Sequence, residues 1–247
     1  FYNKTLDRRG KLLYHRFSFY SWQRWEDLPA EMQNDKVRPY YDILQKKKSE
    51  LFLKFIFDRV VSLIMLIILI PVFVILAILI KLDSPGEVFF RQERITQYGK
   101  FFSIYKFRTM VKDAEKIGTQ VTTNSDSRIT SIGNELRRCR LDELPQLINI
   151  VKGEMSFVGT RPEVPRYVKK YEPEMLSTLL LPAGVTSEAS IKYKDEDRLL
   201  DSTSNVDKLY VEKILPAKMN YNLKSIENFS FLGEIKTMIK TIFEVVR

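Results

Sequence analysis

Residues 60–80 read VVSLIMLIILIPVFVILAILI, 21 residues from Val60 to Ile80 without a formal charge and with one proline, Pro71, near the middle. A helix of about 20 apolar residues is long enough to cross a bilayer. Lys54 and Arg59 precede the run, and Lys81 and Arg91 follow it. A spanning helix leaves its basic excess on one side. Basic flanks on both sides suit a helix that enters the membrane, bends at Pro71 and returns to the same face. Proline removes a backbone donor and crowds the preceding turn, so a bend there is physically reasonable. A single kinked spanning helix fits the same residues, and physics alone leaves both topologies open.

Outside this run the composition is that of a globular body, one large domain or two small ones. Of 247 residues, 29% are charged and 45% hydrophobic, and the net charge is +9. Surplus cations suit anionic lipid, where each basic residue near the surface contributes about 1 kcal/mol. They also suit phosphate-rich substrates or nucleic acid. A nucleic-acid binder has no use for the apolar run, and no recognised binding motif appears. The one cysteine, Cys139, excludes an internal disulfide, and the one histidine, His15, excludes a Cys/His zinc cluster. A reducing, cytoplasmic setting is the expectation. The apolar run starts too far along for a cleavable signal peptide, and a chain beginning at Phe1 suits a piece of a longer protein.

Three zones are expected. Residues 1–50 form a basic, aromatic-rich extension containing Trp22 and Trp25, suited to a membrane interface or a partner surface and showing no chemistry of its own. Residues 51–82 form the membrane helix. Residues 83–247 form an α/β, mostly helical body. Within it DSPG (Asp83 to Gly86) reads as a turn, Val88 to Arg91 and Phe101 to Phe107 as strands, and Met110 to Ile117 as a helix. Thr119 to Arg128 reads as a polar loop, and Gly133 to Arg138 as another helix. Leu141, Leu144, Leu147, Ile148 and Val151 recur at helical spacing, so a helix is expected over Leu141 to Val151. Asp142 would cap it, Pro145 would sit in its first turn, and Lys152-Gly153 would end it. Phe231 to Val246 is again amphipathic, with Ile235, Met238, Ile239, Ile242, Phe243 and Val246 on one face.

The adjacent carboxylates Asp142 and Glu143 are the strongest candidates for chemistry. At a helix start a carboxylate meets exposed donors and stays ionised, and phosphate is attracted to the same place. An ionised Asp beside a Glu could supply a nucleophile next to a Mg²⁺ ligand; taken alone, the pair reads more simply as an ordinary cap followed by a first-turn Glu. Arginines crowd the site in sequence: Arg137, Arg138 and Arg140 precede it, Arg161 comes after it in SFVGTRPE, and Lys106 and Arg108 lie in IYKFRTM. Guanidinium binds phosphate in a bidentate fork, which fits a pyrophosphate pocket. The glycines form no Walker or dinucleotide loop. Cys139 has no histidine nearby to activate it and reads as structural.

KFIFDRVVSLIMLIILIPVF, IKLDSPGEVFFRQERI, GKFFSIYKFRTM and LRRCRLDELPQLINIVKGEMSFVGTRP succeed one another in that order, with the C-terminal helix last. Together these segments resemble the bacterial sugar transferase family, the small monotopic phosphoglycosyl transferases, over roughly residues 51–247. The resemblance implies a membrane-anchored globular domain with one proline-broken re-entrant helix and amphipathic interfacial helices. It implies transfer of a sugar 1-phosphate from a UDP-sugar to polyprenyl (undecaprenyl) phosphate, with UMP released, at the cytoplasmic face of the bacterial inner membrane. The reaction would begin assembly of a glycan such as capsule or O-antigen. Asp142 would be the nucleophile that carries the phosphosugar, Glu143 the catalytic partner and Mg²⁺ ligand, and Arg137, Lys106, Arg108 and Arg161 the phosphate-binding residues. Pro71, preceded by Ile70 where the family often has serine, would be the membrane break. The bilayer with its anionic lipids is a further partner, no nucleic acid is expected, and a homodimer is left open.

Three departures stand out. Thr160 replaces a proline in FVGTRP. The segment after Pro182, PAGVTSEASIKYKDEDRLL with Lys192, Lys194 and Arg198, differs from the pattern of many members, which leaves the sugar unassigned. The first 50 residues have no counterpart in the minimal core. A sugar-nucleotide hydrolase and a non-catalytic basic membrane binder remain as competing readings.

Overall fold

The computed structural model describes residues 3–6, 12–15, 22–114, 126–194 and 206–246. β1 (Asn3–Leu6) and β2 (Leu12–His15) form an antiparallel pair, with Asn3 opposite His15. The side chains of this pair, His15 included, lie outside the described part. α1 (Arg38–Gln45) leads into α2 (Lys48–Asp83), 36 residues and about 54 Å long at 1.5 Å per residue. Residues 22–45 are not set apart from the body. Leu28, Met32, Val37, Tyr40, Tyr41 and Leu44 share one core with Leu179 to Leu181, Leu223, Ile226 and Phe229.

α2 stays helical through Pro71, so no unwound segment appears where the sequence suggests a bend. Packing changes there instead. Phe57, Val61, Met65, Leu66 and Leu69 lie on a core made by Phe102, Ile104, Leu147, Ile150 and Phe157. Beyond Pro71, Val72, Phe73, Leu76 and Ile80 join Phe107 and Leu136 in another. Apolar partners on both sides hold the helix where the proline costs it a hydrogen bond.

The polarity of α2 is inverted relative to a soluble helix. Its buried face carries Lys54, Asp58 and Ser62, while Leu63, Ile64, Ile67, Ile68, Val74, Ile75 and Ile78 are exposed. Lys54 Nζ donates to Val158 O at 2.9 Å and also meets Ser156 and Glu234, with Asp58 at 3.7 Å. At the other end Arg108 binds the last turn of α2 and the first residues of the DSPG turn. Its guanidinium donates to Ile80 O (3.1 Å), Ser84 O (2.7 Å), Ser84 Oγ (3.1 Å) and Pro85 O (3.1 Å). Carbonyls at a helix end have no partner within the helix. Gly86 makes room for this clamp: its φ is +129° and a Cβ there would lie 2.2 Å from Arg108 Nη1.

β3 (Phe89–Ile95) and β4 (Phe101–Phe107) form an antiparallel hairpin, Phe89 opposite Phe107, around a turn at Tyr98-Gly99; the second strand keeps its expected bounds and the first runs on beyond the expected Arg91 to Ile95. The helix expected from Met110 is absent through Asp113. Val111 N donates to Arg128 O and Thr130 N to Thr109 O, tying this backbone to residues 128–130, and Asp113 turns at φ 61°. Residues 115–117, and 119–125 of the expected polar loop, lie outside the described residues. α3 (Ser131–Arg138) comes next, capped by Thr130 Oγ1 accepting from Gly133 N at 3.1 Å.

The helix expected over Leu141 to Val151 is divided. Leu141–Glu143 is a 3-10 turn entered from Arg140 at φ 55°, and α4 runs over Gln146–Lys152 with Pro145 at its N-cap. Proline has no N–H to donate and sits easily only at a helix start, so α4 begins there and Asp142 caps nothing. Gly153 ends α4 at φ 81°, as expected. β5 (Met155–Val158) pairs in parallel with β6 (Ala183–Thr186), and α5 (Pro165–Val168) lies between them in the chain. The two strands meet at glycines: a Cβ on Gly184 would lie 2.1 Å from Gly159 N. α6 (Glu188–Lys192), α7 (Val206–Leu209) with a π-turn over Tyr210–Ile214, α8 (Leu215–Glu227) and α9 (Phe231–Val246) complete the body. α9 packs through Thr237 and Met238 but leaves Leu232, Ile239, Ile242 and Phe243 exposed. Like α2, it turns apolar side chains outward.

Candidate active site

The turn bearing Asp142 and Glu143 is seated by its flanking leucines. Leu141 and Leu144 pack with Phe107, Leu136 and the Pro71-to-Ile80 half of α2. That seat ties the turn to the core shared with the second half of α2. β4 brings Lys106, one residue before the buried Phe107, to one side. The FVGTRP turn after β5 brings Arg161 to the other.

Glu143 is held from both sides. Lys106 Nζ donates to its Oε1 at 2.8 Å, Arg161 Nη1 donates to Oε2 at 3.2 Å, and Arg161 Nη2 also donates to Oε1. Against the cost of burial, the charges and hydrogen bonds of Arg161 and Lys106 hold this carboxyl well below the usual glutamate value. Asp142 differs. It is 7% exposed and, among the described residues, makes no hydrogen bond. Burial pushes its carboxyl up; Lys106, Arg137 and Arg161 pull it back, and the charge on Glu143 adds to the rise. One carboxylate is fixed and ionised, the other unengaged and poorly solvated. Such a divergence within a pair of titratable groups marks a division of roles.

Of the expected phosphate-binding residues, Lys106, Arg137 and Arg161 act on this pair. Arg137 does so from the last turn of α3. Arg108 is elsewhere: its Nη donors serve the end of α2, and its Nε is buried without a partner. Alternation along β4 would put Lys106 and Arg108, two residues apart, on one face; they part because Arg108 lies just past the last strand residue, where Gly86 and Ser84 approach.

Glu143 and Arg161 line a cleft of about 590 Å³. One wall, Met65, Leu147, Phe157 and Val185, belongs to the core around α2. Another, Val164, Tyr167 and Tyr210, belongs to a core that takes no residue from α2 or α9. Arg138, Arg140 and Lys194 stand along it as well, Lys194 paired with Glu244 of α9 at 3.0 Å. Arg198 lies outside the described residues. Glu163, Tyr210 and Lys218 of this cleft carry no local motif, and only the fold brings them together.

Residues 49–247 match the bacterial sugar transferase family. The chain belongs to this family. Over 220 residues this family member is 37% identical to the UDP-glucose:undecaprenyl-phosphate glucose-1-phosphate transferase of Escherichia coli (strain K12), covering 87% of this chain and 44% of that one. Over 135 residues it is 42% identical to a Bacillus subtilis (strain 168) protein provisionally named an undecaprenyl-phosphate N-acetylgalactosaminyl 1-phosphate transferase, covering 55% of this chain and 75% of that one. Over 194 residues it is 31% identical to the UDP-N-acetylgalactosamine-undecaprenyl-phosphate N-acetylgalactosaminephosphotransferase of Aeromonas hydrophila, covering 77% of this chain and 43% of that one. The match thus spans three quarters of the Bacillus protein and less than half of the other two.

Proposed function

We propose that this family member transfers a sugar 1-phosphate from a UDP-sugar to undecaprenyl phosphate in two displacements at the same phosphorus. The observation that carries this is the asymmetry of the carboxylates, Glu143 pinned by Lys106 and Arg161 beside an unengaged Asp142. In the first displacement an Asp142 oxygen bonds to the β-phosphorus, and the bond from that phosphorus to the bridging oxygen breaks. UMP leaves with the electron pair. In the second, an oxygen of undecaprenyl phosphate bonds to the phosphorus and the bond to Asp142 breaks, restoring the carboxylate. Splitting one displacement into two lets a soluble donor and a lipid acceptor use one nucleophile in turn. Lys106, Arg137 and Arg161 bind the phosphoryl oxygens, and fixed cations in a dry site stabilise charge more than water does.

Mg²⁺ fits this donor set. Magnesium is held by one or two carboxylates together with substrate phosphates, and Glu143 is kept ionised beside Asp142. Glu143 would hold it, and bound there it would neutralise diphosphate charge. Both Glu143 oxygens accept from Lys106 and Arg161, so a metal held there would share the carboxylate with these cations.

The outward apolar faces of α2 and α9 support a bilayer-bound enzyme. A re-entrant course for α2 is supported by its two ends, since Lys54 and Ile80 are both held by the same body. A helix that crossed the membrane would carry one of them to the far side. We place the body at the cytoplasmic face of the inner membrane, beginning assembly of a lipid-linked glycan.

The test is UMP release by the purified chain with Mg²⁺, undecaprenyl phosphate and a panel of UDP-sugars, beside Asp142→Asn. Release from one donor, falling at least about a thousandfold in the variant (about 4 kcal/mol of barrier), is expected. Without acceptor, the wild type should gain the mass of one phosphosugar on the peptide containing Asp142. UMP that persists in Asp142→Asn refutes the covalent role.

A further inference from the structure

The cleft has more polar wall than a diphosphate and a lipid phosphate can use. Across it from α2, Tyr210 Oη donates to Glu163 Oε1, and Lys218 Nζ approaches the same hydroxyl at 3.5 Å. Glu163 is 7% and Lys218 6% exposed, and Tyr210 is buried between them. Lys218 also lies 5.3 Å from the centre of the Tyr210 ring, which packs against Tyr167 with centroids 4.8 Å apart. Charges buried this far in a cleft wall are costly unless they have partners. None of the three groups takes part in the two displacements.

We infer that Glu163, Tyr210 and Lys218 form the subsite for the transferred sugar, a hexose read through its hydroxyl groups. This rests on the two-displacement reading above. Displacement at phosphorus is in line. Asp142 therefore enters opposite the departing UMP, and the acceptor phosphate must enter opposite Asp142, through the space UMP has left. Nucleotide and lipid phosphate alternate on that side. The acceptor's apolar chain keeps it to the wall built on α2, with Met65 and Leu147. The sugar alone stays on the phosphorus through both displacements, so it needs a place that neither visitor crosses. The wall away from α2 meets that need. Its chemistry also matches: a carboxylate accepts from sugar hydroxyls, an ammonium donates to them, and a tyrosine ring offers a face to the C–H side.

The test compares the wild-type chain with Lys218→Met, Glu163→Gln and Tyr210→Phe, each checked for an unchanged melting temperature. Binding of UDP-glucose, UDP-galactose, their 2-acetamido counterparts and UMP is measured first, and then turnover with undecaprenyl phosphate. Loss of a charged hydrogen bond to a sugar hydroxyl should lower kcat/KM for the preferred donor about ten- to a hundredfold and shift the ratio between epimeric donors. UMP affinity and the KM for undecaprenyl phosphate should stay within about twofold. Folded variants with an unmoved donor ratio overturn the assignment, and so does UMP affinity that falls in step with donor affinity, which would give this wall to the nucleotide. In either case Asp142-dependent UMP release can stand, so the reaction survives the loss of the subsite. A wild type that binds no UDP-sugar overturns both.

Discussion

Replacing Arg108 by methionine tests whether this residue serves substrate or structure. The side chain keeps much of its apolar stem, and four hydrogen bonds to Ile80, Ser84 and Pro85 are lost. Hydrogen bonds to charged groups contribute about 1.5–3 kcal/mol each, but those sharing one guanidinium do not add. The groups left behind are neutral, and a buried acceptor left unsatisfied costs about 1–3 kcal/mol. The lower end applies to each of the three carbonyls here, because they are near the end of α2 and can recover some water. About 3 kcal/mol for the three corresponds to a fall of roughly 6–12 °C in melting temperature for a chain of this size. The assay is thermal unfolding in detergent micelles beside UMP release at a temperature where the variant is folded. We expect a lower Tm with kcat and donor KM within about threefold of wild type. A variant of unchanged Tm whose donor kcat/KM collapses would place Arg108 on the substrate and refute the clamp.

The rate should rise with pH through the Asp142 ionisation, above the ordinary aspartate value of 3.8 because burial raises it, and Lys106→Met should move this limb higher still; a pH–rate profile checks both. Ionised Glu143, held below its ordinary 4.5, stabilises the fold above that value, and this contribution is lost as pH falls toward the folded pKa, which acid denaturation of wild type and Glu143→Gln will show. Gly184→Ala places a Cβ 2.1 Å from backbone at Gly159 and should cost about 1–3 kcal/mol in chemical denaturation, whereas an unchanged midpoint would mean that β5 and β6 separate freely. Cysteines at Ser49 and Glu87, introduced with Cys139→Ser because that thiol is exposed, should both be labelled from the cytoplasmic side; labelling from opposite sides sinks the re-entrant course.

What could be read from sequence was what repeats locally. Apolar length announced α2, the Phe101 to Phe107 stretch announced β4, and Gly153 announced the end of α4. The leucines of LDELPQL pointed to the right face with the wrong continuity, because a 3-10 turn and an α-helix place i and i+3 similarly, and only Pro145 separates them. Composition set residues 1–50 apart, yet Tyr40 and Leu44 lie in the main core, since basic and aromatic content says nothing about what the apolar minority touches. At the site, Asp142, Glu143, Lys106 and Arg161 were legible as a charge cluster near one turn. The engagement of Arg108 was not, because it depends on Ser84 and Gly86 arriving from another segment. Glu163 and Lys218 were invisible for the same reason, being joined only through Tyr210.

The seating of Leu141 and Leu144 on α2 makes that helix a gauge for the chemistry. One residue added between Phe73 and Ile80 would turn everything beyond it by about 100° and advance it about 1.5 Å. Arg108 could then track Ser84, or Phe107 could keep its ring against Phe73, but not both. Even an added leucine, harmless to hydropathy, would throw the carboxylates out of gear with the exposed apolar face of α2. The height of the carboxylates along α2 is written in the phase of that helix, and the apolar band is not free to lengthen.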